Sequence, residues 1–125
     1  MTQEDKKLLL KDLCARLPYG VKMNHIADDE HSPKTLIGVA KDMITLEGLG
    51  GYECVDVEDY KPYLFPLSSM TEEQKREQEA HFTCIKHDMS FSICRYMEWC
   101  YKNHLDINGL IPKGLAIDTT GLNIY

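Results

Sequence analysis

Three strand-like runs joined by short turns constrain the fold more than any other feature of the sequence. Only Lys41 and Asp42 separate "TLIGVA" from "MITLE", and "YECVDV" follows a short glycine-rich turn. A two-residue turn can join antiparallel neighbours, but it leaves no room for the crossover that parallel strands need. The sequence therefore predicts an antiparallel meander, a sheet that commonly buries one face and leaves the other in water.

One helix and one further strand are predicted ahead of these runs. Residues 3–16 follow Thr2, a favourable N-cap, and they place leucines on one helical face before Pro18 ends the helix. The run "YGVKMNHI" (19–26) then alternates in the manner of a strand. The predicted meander thus has three or four strands.

Two helices are predicted after the sheet. The charged run 71–81 begins at Thr71, which stands at capping-box spacing from a glutamine. Its first two turns have almost no apolar face, so we expect them to project into solvent or to meet a partner. A last helix is predicted over 89–103, with Asp88 or Ser90 as its cap.

These elements together predict an α+β fold. It consists of a small antiparallel β-meander with one N-terminal helix and two C-terminal helices, and an SH3-like curl is one form the sheet could take. We expect residues 1–125 to form a single domain, because a chain of this length can bury a core without a disulfide or a metal. The stretch "YLFPL" (63–67) is interpreted as the exit from the sheet, with its aromatic residues covering an open end of the core.

Charge and composition disfavour several classes of function. The formal net charge is −6, whereas non-specific binding to nucleic acid rests on a basic surface. No run approaches the roughly 18 apolar residues of a membrane-spanning helix, and the N-terminus lacks the pattern of a signal peptide. The five cysteines are irregularly spaced, so we expect reduced, mostly buried thiols in a cytoplasmic protein. We therefore expect neither a nucleic-acid nor a membrane partner.

A group of histidines and cysteines near the C-terminal helices raises the question of a metal or a nucleophile. Its members are His81, Cys84, His87, Cys94, Cys100 and His104. Their spacing fits no established zinc pattern, and nothing singles out one Cys–His pair as an activated nucleophile. We therefore predict no metal, no cofactor and no catalytic residue, and a small Cys/His or zinc enzyme stays as the least favoured alternative.

The acidic side of the charged helix 71–81 is a candidate for contact with a partner. Glu73, Glu77 and Glu79 are the residues that would make this contact. Such a charge run is more often a solvated helix face, so the interpretation as a protein–protein adaptor stands beside that simpler one.

Three segments resemble a family of short uncharacterised proteins of gut anaerobic bacteria, their phages and other mobile elements. They are "MTQEDKKLLLKDLCARLPYGVK" (1–22), "DYKPYLFPLSSMTEEQK" (59–75) and "WCYKNHLDINGLIPKGLAI" (99–117). The resemblance implies a mobile-element context and no particular activity. Family members commonly carry an arginine in place of Phe65 and a tyrosine-arginine pair in place of Ile107-Asn108, so any anion contact made by those arginines would be missing here.

The resemblance and the missing catalytic motifs together predict a non-enzymatic accessory protein that acts by binding. It would sequester a small signalling ligand or a host protein to counter host defence, and it would form a homo-oligomer. A ligand pocket is expected between protomers near "KPYLFPL" and "NGLIPKG". The residues predicted to bind the ligand are Tyr63, Phe65, Asn108 and Lys113.

Overall fold

The computed structural model describes residues 1–87 and 89–125 and has the predicted α+β architecture. Three helices surround one sheet of six strands in the order β4-β3-β2-β1-β5-β6. The helices are α1 (Gln3–Arg16), α2 (Glu72–His87) and α3 (Met89–Lys102). The strands are β1 (Lys22–His25), β2 (Lys34–Ala40), β3 (Met43–Gly48), β4 (Gly51–Asp56), β5 (Tyr60–Leu64) and β6 (Ile117–Asp118).

The first four strands form the predicted meander, and every pair within it is antiparallel. The β2–β3 hairpin turns at Lys41 and Asp42, as the sequence predicts, with Lys41 in the left-handed region at φ 56°. Helix α1 begins after Thr2, whose hydroxyl accepts a hydrogen bond from the Asp5 N–H at 3.0 Å. Leu9 of this helix is fully buried in the core against the sheet.

The chain leaves the sheet within "YLFPL" as predicted, since β5 ends at Leu64, but the first two residues of the stretch do not cover an open end of the core. Those two residues end β5, an interior strand that pairs antiparallel with β1 and parallel with β6. Tyr63 and Leu64 are fully buried. Proline cannot donate to a sheet ladder and is mostly confined to strand edges. Pro62 is nevertheless accommodated opposite Met23 of β1.

The C-terminal segment 119–125 contains neither helix nor strand. It is nonetheless attached to the sheet. The Tyr125 hydroxyl donates a hydrogen bond to the Tyr63 carbonyl and accepts one from the Lys22 N–H, both at 2.8 Å. The Thr119 N–H donates to the Leu64 carbonyl at 2.9 Å. The end of the chain therefore closes over β1 and β5.

Helices α2 and α3 form a hairpin, and α2 buries none of its residues. The predicted capping box is present, because Thr71 and Gln74 exchange hydrogen bonds of 3.0 and 3.1 Å. Of the two residues considered as a cap for α3, Asp88 lies outside the described residues and the Ser90 side chain is likewise not described. Among the described residues, no helix has both the length and the apolar character that a membrane span requires.

The expectation that the cysteines are mostly buried is wrong. Cys100 is buried, and burial raises the pKa of its thiol. The other four are exposed: Cys14, Cys54, Cys84 and Cys94. Cysteine is often buried as a small apolar residue, but the faces these positions occupy are turned to water. Cys54, for example, lies on the edge strand β4.

Candidate functional site

A cleft with a volume of about 420 Å³ opens between the helical hairpin and the turn that follows α1. We call it the hairpin cleft, and it is lined by Tyr19, His81, Arg95, Glu98, Trp99 and Lys102. The four residues from α3 are spaced i, i+3, i+4 and i+7, which places them on one helical face. His81 comes from α2, and Tyr19 comes from the 3-10 turn Leu17–Tyr19. Three separate elements therefore converge on this surface.

A smaller cavity of about 200 Å³ adjoins the hairpin cleft between α2 and α3. His81 and Arg95 line both spaces, so they stand where the two meet. The rest of the smaller cavity is formed by Ala80, Cys84 and Ser92. Ser92 is only 8% exposed, so the inner end of the space carries a buried polar side chain. An open cleft thus leads to a more enclosed end.

The indole of Trp99 is held in place by its neighbours. Its Nε1–H donates a hydrogen bond to Glu77 Oε2 at 2.6 Å. The Tyr96 ring stacks with it at 6.0 Å between centroids and 21° between planes, and the His81 ring lies 5.5 Å away. Gln78 in turn donates to the Tyr96 hydroxyl at 3.0 Å, and burial raises the pKa of that hydroxyl. The cleft therefore presents an aromatic wall of defined orientation.

The charge of the hairpin cleft differs from that of the chain. Arg95 and Lys102 line it together with the carboxylate of Glu98, and the Glu77 carboxylate is bound to the Trp99 indole of its wall, although the chain as a whole has a net charge of −6. Arginine and lysine are the residues that bind carboxylate and phosphate, and an arginine offers five N–H donors in a planar fork. Cations beside an aromatic wall can bind a small ligand that has both a negative group and a flat ring.

His81 and Cys84 both line the smaller cavity, which brings a histidine and a cysteine into the same region. Among the described residues, no hydrogen bond joins the His81 ring to the Cys84 thiol. Across residues 1–87 and 89–125, no group of three or more His, Cys, Asp or Glu side chains is arranged to hold a metal ion. The arrangement therefore offers binding groups, and it does not show the base–nucleophile hydrogen bond that marks covalent catalysis.

The four residues predicted to bind a ligand occupy different environments. Tyr63 is fully buried, its hydroxyl lies 2.7 Å from His31 Nδ1, and burial raises its pKa to about 12. Phe65 is half-buried, and its ring lies 6.0 Å from that of Tyr125. Lys113 is exposed. Asn108 lines a cavity of about 130 Å³ beside α1 that the other three residues do not line.

The backbone does bring the two predicted segments together. The Phe65 N–H donates to the His104 carbonyl at 2.8 Å, and the Asp106 N–H donates to the Phe65 carbonyl at 2.9 Å. The chain that follows β5 therefore runs beside the chain that follows α3. This juxtaposition joins parts of the fold, and the role of the four side chains in ligand binding stays a prediction.

A buried polar network lies beneath Asn108 and was not singled out from the sequence. Arg16 and Asp12, both on α1, form a fully buried ion pair in which the guanidinium meets both carboxylate oxygens. Arg16 also donates to the Leu105 carbonyl, and Asn108 donates to Asp12 Oδ2, each at 2.7 Å. The network connects α1 to the segment after α3, so its role is structural.

His104 lies next to this network in a tightly packed position. Its ring stacks on that of Tyr125, with centroids 3.7 Å apart and planes at 12°. Its Nδ1 atom is buried and has no hydrogen-bond partner among the described residues. Burial, followed by the charges of Arg16 and Lys22, lowers the pKa of His104 from 6.5 to about 4. The imidazole is therefore neutral near pH 7.

The predicted partner residues Glu73, Glu77 and Glu79 are all exposed on α2. One of them, Glu77, is engaged by Trp99, which links the charged helix to the wall of the hairpin cleft. From the sequence, His81 was considered only within the Cys/His group as a metal ligand or a catalytic base. Sequence reasoning missed Arg95 and Lys102, although their helical spacing around Trp99 was a usable signal.

No protein-family model, no curated protein and no solved structure matches the chain. The resemblance of its three segments to proteins of phages and mobile elements accordingly stays a prediction. The candidate site is argued from its own residues and distances.

Proposed function

We propose that this chain is a non-enzymatic accessory protein of a phage or mobile element that binds and sequesters a small ligand in the hairpin cleft. The observation that carries the proposal is the pairing of a fixed aromatic wall, Trp99, with the cations Arg95 and Lys102 in one cleft. In a cytoplasm, removal of a small signalling ligand would counter a host defence that depends on it. The resemblance of three segments to mobile-element proteins is consistent with this role.

The dimensions and lining of the space support a small ligand. Pockets for such ligands usually enclose about 300–1,000 Å³ and combine apolar or aromatic walls with a few polar groups. The hairpin cleft is an open surface depression of about 420 Å³, and the smaller, more enclosed cavity extends it toward Ser92. A ligand could therefore reach from the open aromatic wall to a buried hydroxyl.

The predicted homo-oligomer belongs to the same proposal. Three large apolar side chains near the connection between α2 and α3 are exposed, namely Phe82, Met89 and Ile93. Contiguous exposed apolar surface is typical of contacts between chains. A second copy of the chain would cover these side chains.

Native mass spectrometry tests the proposal directly. The protein, purified gently from a host that expresses it, is expected to carry a small molecule in addition to the mass of the chain. The same spectra report the oligomeric state. A chain that carries no additional mass under conditions that preserve non-covalent complexes would contradict sequestration.

A protein–protein adaptor is the second candidate, and one observation favours it. Helix α2 buries none of its residues and carries Glu73 and Glu79 on its exposed surface, so folding alone does not account for its sequence. Such a helix could present an acidic face to a basic partner.

Charge reversal tests the adaptor proposal. Replacing Glu73, Glu77 and Glu79 with lysine is expected to abolish capture of a partner protein, because the acidic face would become basic. Replacement of Glu47, which is exposed on β3, with lysine is the matched control and should leave capture unchanged. Capture that survives the triple reversal would exclude this face as the contact.

A further inference from the structure

The chemistry of the hairpin cleft narrows its ligand to one class. We infer that the cleft binds a nucleoside phosphate, with the base against Trp99 and the phosphate at Arg95 and Lys102. This inference rests on the proposed function and names the ligand class of the same site. It is argued from the aromatic wall, the two cations and the carboxylate that line the cleft.

The aromatic wall suits a flat heterocycle. A base that stacks on a tryptophan or tyrosine gains roughly 1–3 kcal/mol, and the gain depends little on which base it is. Trp99 is held by Glu77 and Tyr96, so its ring is already oriented before a ligand arrives. Tyr19 supplies a second aromatic side chain from the turn after α1. A pre-oriented platform lowers the entropic cost of binding.

The cations lie where the phosphate of a stacked nucleotide would reach. Arg95 is four residues before Trp99 and Lys102 is three residues after it, so they flank the indole by roughly 6 Å and 4.5 Å along the helix axis. The guanidinium of Arg95 has five N–H donors, so an interaction with a neighbouring group leaves other N–H donors for a phosphate oxygen. Ser92, at the inner end of the smaller cavity, adds a hydroxyl.

Glu98 makes the cleft selective. Its carboxylate accepts hydrogen bonds only, so it suits a base with an exocyclic amino group, such as adenine. The same negative charge disfavours a bare anion that offers no donor in return. The cleft is therefore expected to prefer a nucleotide over inorganic phosphate, because only the nucleotide satisfies the ring, the cations and the carboxylate together.

The chain contains a single tryptophan, so its fluorescence reports on this cleft alone. Titration with AMP is expected to change the emission of Trp99 in a saturable manner. Adenosine, which lacks the phosphate, should bind about a hundredfold more weakly, because it loses the charge-assisted contacts to both Arg95 and Lys102. Inorganic phosphate should leave the emission unchanged.

Two lysine variants locate the phosphate. Lys102→Ala should weaken AMP binding about tenfold. Lys7→Ala removes the same charge from an exposed lysine on α1, and it should leave AMP binding unchanged. Equal weakening by both variants would overturn the assignment of the phosphate to this cleft.

The failure of this inference is distinguishable from the failure of the proposed function. If the purified protein retains a small molecule while AMP leaves Trp99 of the ligand-free, refolded protein unaffected, the ligand class is wrong and sequestration stands. If the protein retains no small molecule and AMP leaves Trp99 unaffected, both are wrong.

Discussion

Replacement of Asp12 with alanine is expected to lower the free energy of unfolding by about 3–5 kcal/mol. Asp12 and Arg16 are both fully buried, and the guanidinium would lose the one carboxylate that neutralises it. Asn108 would lose an acceptor at the same time. A buried charge left without its partner is costly, whereas an exposed ion pair contributes little. Urea denaturation followed by circular dichroism measures the loss.

Two further variants separate this effect from a general sensitivity to mutation. Asp29→Ala removes an aspartate from an exposed loop and should change stability by less than about 0.5 kcal/mol. The double variant Asp12→Leu, Arg16→Met replaces both charges with apolar groups and should be more stable than Asp12→Ala alone. If Asp12→Ala lowers the free energy of unfolding as little as Asp29→Ala does, the ion pair does not stabilise the contact between α1 and the segment after α3.

Stability is expected to fall by about 3 kcal/mol as the pH decreases from 6.5 to about 4, because of His104 alone. Above pH 6.5 the imidazole is neutral in the folded and the unfolded chain, so the full stability is present. Between the two values the unfolded chain binds a proton that the folded chain excludes, and this shifts the equilibrium toward unfolding. Denaturation curves across this pH range measure the slope.

The variant His104→Asn is the matched control for the pH dependence. His104 has φ 58°, a left-handed conformation that asparagine adopts more readily than most residues. Asparagine does not titrate, so the variant should lose the His104 component of the slope. The loss of stability at low pH that comes from carboxylates with lowered pKa values, such as Asp118 beside Thr120, should remain. A variant with the slope of the wild type would show that His104 is not the titrating group.

Local signals predicted the meander and the helices well. Alternation and a two-residue turn are enough to define β2 and β3, and the spacing of Thr71 to Gln74 is enough to place the start of α2. These features depend on residues that are close in sequence. The pairing of β5 with β1 and β6 depends on distant segments. Periodicity carries no information about such long-range contacts.

The candidate site was harder to predict for the same reason. The alignment of Trp99 with His81 arises only when α2 folds back on α3. The buried pair of Asp12 and Arg16 was also missed, because an i,i+4 ion pair usually lies on a solvated face. Only the packing of the segment after α3 encloses it. In both cases the role of the side chain depends on residues that are distant in sequence and close only in the folded chain.

The central claim is that a small ligand lies in the hairpin cleft, and native mass spectra of the wild type and Trp99→Ala, purified in parallel, test it most directly. The wild type should carry the additional mass, and the variant should have lost it because the aromatic wall is gone. Tyr52→Ala, at an exposed tyrosine on β4, controls for the loss of an aromatic ring elsewhere and should keep the ligand. A Trp99→Ala variant that retains the same molecule at the same occupancy would contradict the account.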